Sequence, residues 1–328
     1  MRKKLLVICG PTATGKTNLA LSLAGKYGGE IVSADSRQLY RDMDISTGKD
    51  LQKDYRSKLA DLKVNGKSVH IRYFETPLGI RIWGYDLAGG YEDFNVSSYY
   101  QIAKEVIINI WERKKLPIIV GGTGFYIKSL IDGIDTISYP PRRDLRNRLK
   151  DKTAEELYKK LIKLDYEKAA NMNVSDRKNP VRLIRAIELV NLRNINIRNL
   201  QDSEKIKYDS LLIIGLTAPK EVLKQRIEKR IKDRVNRGFE KEVSSLLSKN
   251  IDWSFKSMQA MGYRQYEDYY NKKISWQNFI KRWFLDEQRY AKRQMTWFKK
   301  DKRIKWFDVS KKVNLMNVEK AVKNWYYE

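Results

Sequence analysis

Residues 10–17 read Gly10-Pro11-Thr12-Ala13-Thr14-Gly15-Lys16-Thr17 and match G-x-x-x-x-G-K-[ST] in full. No other feature limits the fold of this chain so strongly. A buried strand is predicted on one side, over 4–9, and a helix on the other, carrying Leu19, Leu21, Leu23 and Ala24. That context is what makes the motif a phosphate loop, in which backbone N–H groups turn inward around phosphate oxygens at the positive end of a helix. Lys16 adds a point charge, and the Thr17 hydroxyl is the expected ligand of Mg²⁺.

Short apolar runs at 30–34, 116–120 and 208–216 predict three more strands, with a helix over 97–113 between two of them. Strands alternating with helices give an α/β fold, a P-loop NTPase-like core with a mostly parallel sheet. In such sheets ligands gather at the carboxyl ends of the strands, here after Cys9, Ala34 and Val120. Two stretches break the alternation. Residues 69–74 and 80–87 are predicted to form a β-hairpin, an insert near 66–90. Residues 141–200 carry leucines at helical spacing without strand signals. The expected organisation is a core over 1–137, a helical insertion domain over 138–206, and a return to the core with a basic helical region over 207–328.

Lys and Arg number 66 against 40 Asp and Glu, a net charge of +26. Residues 1–140 contribute +5 and residues 141–328 contribute +21. That asymmetry points to a polyanionic partner for the second part. With one cysteine, Cys9, and one histidine, His70, disulfide scaffolds and Cys/His metal centres are excluded. Cys9 is read as packing and His70 as a hairpin surface residue. No apolar run reaches the roughly 18 residues that cross a bilayer. The expectation is a cytoplasmic, membrane-free protein, acting as a monomer.

The phosphate loop alone does not specify a nucleoside triphosphate. ATP hydrolysis needs an acidic magnesium ligand after a later strand, and 116–120 runs into Gly121-Gly122-Thr123-Gly124 instead. The acidic residue at a strand end is Asp35. A small-molecule kinase using ATP, with Asp35 as base and Arg226, Arg230 and Arg234 as lid residues, is the alternative reading. A nucleic-acid binder without chemistry is a third.

The run Ser33-Ala34-Asp35-Ser36-Arg37-Gln38-Leu39-Tyr40, continuing to Gly48-Lys49, resembles the tRNA dimethylallyltransferases. So do Gly121-Gly122-Thr123-Gly124-Phe125-Tyr126, Arg182-Leu183-Ile184-Arg185-Ala186-Ile187-Glu188, Gly262-Tyr263-Arg264-Gln265 and Ala291-Lys292-Arg293-Gln294-Met295-Thr296-Trp297-Phe298. The family transfers a dimethylallyl group from dimethylallyl diphosphate to N6 of the adenosine 3′ of the anticodon, position 37 of the tRNA. The resemblance implies Asp35, Thr17 and Arg230 as catalytic residues, with the 10–17 loop and Arg230 on the diphosphate. It implies contacts to the anticodon arm from Asp35, Ser36, Arg37, Gln38, Thr123, Arg146, Arg182, Arg185, Gly262, Tyr263, Arg264, Gln265, Arg289, Lys292, Arg293 and Gln294. For Arg182 and Arg185 the alternative is ion pairing with Glu188 and its neighbours. For Trp297 it is core packing. The family's paired-histidine motif is missing between Lys49 and Tyr99, where Trp83-Gly84-Tyr85-Asp86-Leu87 stands instead.

Overall fold

A computed structural model describes residues 2–134, 142–193 and 205–328. Lys4–Cys9 forms strand β1, whose unbroken apolar run is explained by burial on both faces. Leu6 and Ile8 pack with Leu23 and Ala24 in one cluster, while Leu5 and Val7, pointing the opposite way, are also buried. Helix α1 (Lys16–Tyr27) follows, then β2 (Gly29–Ser33), β3 (Arg56–Val64), β4 (Lys67–Glu75) and β5 (Arg81–Trp83). Helix α2 (Val96–Glu112) is capped by the Asn95 side chain, which accepts from the N–H groups of Ser97 and Ser98. Strand β6 (Leu116–Gly121) and helix α3 (Gly124–Asp132) complete this half.

Contacts divide the chain into two compact units, 1–131 with 206–328, and 132–205. The smaller unit contains α4 (Arg143–Leu149), α5 (Ala154–Leu164), α6 (Tyr166–Ala170), α7 (Val174–Arg177) and α8 (Pro180–Arg193). It has its own core of Leu149, Leu157, Leu161, Leu183 and Ile187. Thr153 and Glu156 form a capping box that starts α5.

The larger unit resumes with β7 (Ser210–Thr217), α9 (Lys220–Asn236), α10 (Phe239–Ser248), α11 (Tyr263–Tyr270), α12 (Trp276–Phe298), β8 (Lys305–Asp308) and α13 (Lys312–Tyr327). Its sheet runs β3-β4-β5-β2-β6-β1-β7-β8. Every pairing from β5 to β8 is parallel; β3–β4 and β4–β5 are antiparallel. Among the described residues no helix is long and apolar enough to cross a membrane.

Two strands differ from the sequence reading. The hairpin expected from 69–74 and 80–87 exists as β4–β5, but a longer one, β3–β4, precedes it. Its turn is Asn65-Gly66, both at positive φ, the conformation that suits the twist of a two-residue hairpin. Strand β3 escapes pattern reading because it is an edge, mostly exposed and rich in Lys and Arg. The C-terminal region, read as mainly helical, includes β8, four residues paired with β7.

Candidate active site

The phosphate loop leaves β1 at Gly10, whose φ is +134° and where a Cβ would lie 2.2 Å from the Leu216 carbonyl oxygen. Only glycine lets the chain turn there beside β7. No side chain caps α1 at Gly15, so its first N–H groups are free to receive an anion. Thr14 Oγ1 and Lys16 Nζ both donate to the Pro11 carbonyl, at 2.9 and 2.7 Å. Burial and then the charge of Arg230 push the Lys16 ammonium down to about 8, against the attraction of Asp35.

The ends of β2 and β6 are stitched together beside this loop. The Ala34 N–H donates to the Val120 carbonyl, and the Thr123 N–H to the Ala34 carbonyl. Thr123 Oγ1 accepts the Ser36 N–H at 3.0 Å. Asp35 Oδ1 accepts the Arg37 N–H at 2.9 Å, while Oδ2 accepts no hydrogen bond from the described residues. Gln38 accepts from Ser33 Oγ and donates to the Gly48 carbonyl, at 2.8 Å each. Two charged groups hold the far arm of this loop. Buried Lys49 donates to the Tyr40 carbonyl, Asp44 and Asp86. Glu242 accepts the N–H groups of Asp44, Ile45 and Ser46.

Helices α9 and α12 close the site. Gln294 accepts the Thr12 N–H at 2.8 Å and donates to the Gly122 carbonyl at 2.9 Å. A Cβ on Gly122 would meet that amide nitrogen at 2.1 Å, so the second glycine of the 121–124 run makes room for the brace. Arg230 donates to Thr12 Oγ1 and, at 2.9 Å, to Glu287. Glu287 takes Arg234 on its other oxygen at 3.0 Å. Tyr290 faces the same space; burial first and the nearby Asp35 second raise its phenol above the ordinary value. Together they enclose a cavity of about 520 Å³, lined by Thr12, Lys16, Thr17, Asp35 and Arg230 among others.

The residues expected on tRNA separate into three groups. Ser36, Arg37, Gln38, Arg264 and Arg293 line the cavity, and Arg289 and Lys292 are exposed on α12. Tyr263 and Gln265 correct the expectation, because both are buried away from the cavity, whereas Gln294, also buried, still lines it. Tyr263 stacks on Phe239 and donates to Glu242. Gln265 joins the Gly262 N–H to Asp286. Gly262 is a packing position, where a Cβ would meet Ser46 Oγ at 2.2 Å. In the smaller unit the three arginines form ion pairs, and of the two for which pairing with Glu188 is the alternative only Arg185 reaches it. Arg146 forks onto buried Glu188 at 2.6 and 2.9 Å, Arg185 joins it at 3.0 Å, and Arg182 pairs with Asp176. Trp297 is 42% exposed, edge-on to Phe125. Cys9 is buried, with its thiol pushed up to about 12, and His70 sits on the exposed β3–β4 face beside Asp61.

Sequence reasoning passed over Glu242, Glu287 and Tyr290. Helical spacing was the available signal for two of them: Glu287, Tyr290 and Gln294 lie three and four apart, on one face of α12.

A phosphate loop after a central strand of the parallel part of the sheet, with Asp35 and an arginine row on one cavity, defines a phosphate-loop group-transfer protein. The IPP transferase family model matches residues 75–301, and the isopentenyl transferase model matches 3–61. The chain belongs to the IPP transferase family. The tRNA dimethylallyltransferase of Syntrophomonas wolfei is 35% identical over 306 residues, 92% of this chain and 90% of that one. The enzyme of the same name from Finegoldia magna is 33% identical, covering 100% and 99%. A crystal structure of the full-length tRNA isopentenylpyrophosphate transferase of Bacillus halodurans superposes with a TM-score of 0.67 at 30% identity, covering 98% and 96%.

Proposed function

We propose that this protein transfers the dimethylallyl group of dimethylallyl diphosphate to N6 of the adenosine 3′ of the anticodon, and releases pyrophosphate. Its family membership makes it a prenyltransferase acting on tRNA and disfavours the kinase alternative. The observation that carries the finer reading is the presence of Asp35, Lys16, Thr17 and Arg230 on one cavity. An exocyclic adenine amine is a weak nucleophile, since its lone pair is delocalised into the ring. As the C–N bond forms and the C–O bond to the diphosphate breaks, Asp35 Oδ2 takes the N6 proton. The phosphate-loop N–H groups, Lys16 and Arg230 receive the charge that grows on the leaving group. No group of three or more His, Cys, Asp or Glu side chains among the described residues could hold a metal. The Thr17 hydroxyl nonetheless lines the cavity, an oxygen donor that suits Mg²⁺ carried mainly by substrate phosphates. Once bound there, the ion would neutralise part of the leaving group's charge.

The adenine must leave the anticodon-loop stack, at a cost of about a few kcal/mol. Contacts from Arg264, Arg289, Lys292 and Arg293 to the phosphates of the loop would offset it. Acting on tRNA, the enzyme is proposed to work in the cytoplasm. The test is incubation with tRNA, Mg²⁺ and dimethylallyl diphosphate, followed by mass analysis of nucleosides. The expected product is an N6-dimethylallyl adenosine next to the anticodon. ATP consumption with unmodified tRNA would refute the reading.

A second expected result concerns pH. Burial and then Arg230 hold the Lys16 ammonium down to about 8 in the free protein, with Asp35 and Cys9 acting against them. A diphosphate favours its protonated form, so donor binding above about pH 8 should take up a proton and weaken as pH rises. The same depressed value means the charged lysine costs stability below pH 8, a cost relieved as pH climbs toward its ordinary value. Calorimetry in buffers of different ionisation enthalpy reads the uptake. Lys16→Met should abolish it.

A further inference from the structure

Arg226, Arg230 and Arg234 follow one another at four-residue intervals along α9, and all three line the cavity. Arg226 leans toward the Ala13 and Val309 carbonyls, at 3.5 and 3.3 Å. Arg230 meets Thr12 and Arg234 lies against Gly48, where a Cβ would stand 2.5 Å from Nη2. One carboxylate serves the last two. Glu287 is 2% exposed and gives one oxygen to each guanidinium. Of the other acids on the cavity, Asp50 pairs outward with Arg237, and Asp35 accepts the Arg37 N–H.

The balance around Glu287 is therefore short of negative charge. Burial and then repulsion from Arg230 push the Arg234 guanidinium down to about 10, and the same repulsion acts on Lys16. Burial works to raise the Glu287 carboxyl, but Arg230 and Arg234 outweigh it and hold it below its ordinary value. Arg230 Nε is buried and has no partner among the described residues. Two guanidiniums share a single buried carboxylate, and a polyanion would complete the set.

We propose that Glu287 is the resident counter-ion of this arginine row, and that it limits how tightly the cavity holds diphosphate and so sets the rate at which pyrophosphate leaves. The inference rests on reading the cavity as a diphosphate site. In the free protein Glu287 keeps Arg230 and Arg234 in place and compensated. In the complex it lies beside a ligand of its own sign, so it opposes binding. Each turnover ends with a pyrophosphate surrounded by cations, and a fixed negative charge behind Arg230 lets that product go.

Binding of inorganic pyrophosphate to the full chain, measured by calorimetry, tests this with two variants. Glu287→Gln should bind pyrophosphate about tenfold or more tightly, since one unit of buried like charge is removed from the cavity wall. Its tRNA affinity should be unchanged, and its turnover should show a burst of modified tRNA followed by slow release. Arg234→Met keeps the Arg230–Glu287 pair and removes a cation, so its pyrophosphate dissociation constant should rise about tenfold. The double variant should return to wild-type affinity. Equal or weaker binding by Glu287→Gln, or unchanged binding by Arg234→Met, overturns the proposal. The Arg234→Met result decides it alone if Glu287→Gln does not fold. A wild-type protein that binds no pyrophosphate would instead overturn the reading of the cavity.

Discussion

Asp35→Asn is expected to lower dimethylallyl transfer by about 10²–10⁴-fold without weakening tRNA binding or raising the donor KM. The asparagine keeps an oxygen that can accept the Arg37 N–H, so the turn after β2 should survive. What it loses is the second carboxylate oxygen, the proton acceptor on the cavity side. Single-turnover transfer and filter binding on the same preparation separate the two effects. Loss of tRNA affinity in step with activity would make Asp35 a structural residue.

The second large effect lies away from the chemistry. Lys49 has a fully buried side chain, and its ammonium touches Asp44, Asp86 and the Tyr40 carbonyl. Burial already raises the Asp86 carboxyl, with Lys49 acting against it. Lys49→Met would leave that carboxylate unpaired, and breaking a buried pair this way costs about 3–5 kcal/mol. Urea unfolding should show the midpoint falling with little change in slope. Lys49→Met combined with Asp86→Asn should recover part of the loss. The pair also anchors the loop from Asp35 to Gly48, so transfer should fall further than tRNA binding. A midpoint like that of the wild type would show that the network contributes nothing.

Local motifs made the first half of the site legible. The phosphate loop, Asp35 and Thr123 each stand at the end of a predicted strand, where α/β topology places ligands. Arg230 came from resemblance, and it does meet Thr12. Long-range pairing was hidden. Nothing in the sequence joins Glu242 to the N–H groups of residues 44–46, or Glu287 to two arginines on another helix, because those contacts depend on how α10 and α12 pack. The C-terminal blocks show the same difficulty. Residues 289–297 interleave basic and aromatic groups, but the helix turns Arg289, Lys292 and Arg293 outward and Gln294 inward to brace two loops. Tyr263 misled for a similar reason: its hydroxyl suits an RNA contact, yet Phe239 and Glu242 bury it. Charged edge strand β3 and four-residue β8 lack the apolar alternation by which strands are recognised.

The central claim is that one cavity brings the donor's diphosphate and the acceptor amine to Asp35. A crystal structure with an anticodon stem-loop and an unreactive thio-analogue of dimethylallyl diphosphate measures this directly. The diphosphate should lie across residues 10–17 against Arg230, with the adenine N6 about 3 Å from Asp35 Oδ2. A diphosphate elsewhere, or an adenine whose N6 points away from Asp35, would contradict the account.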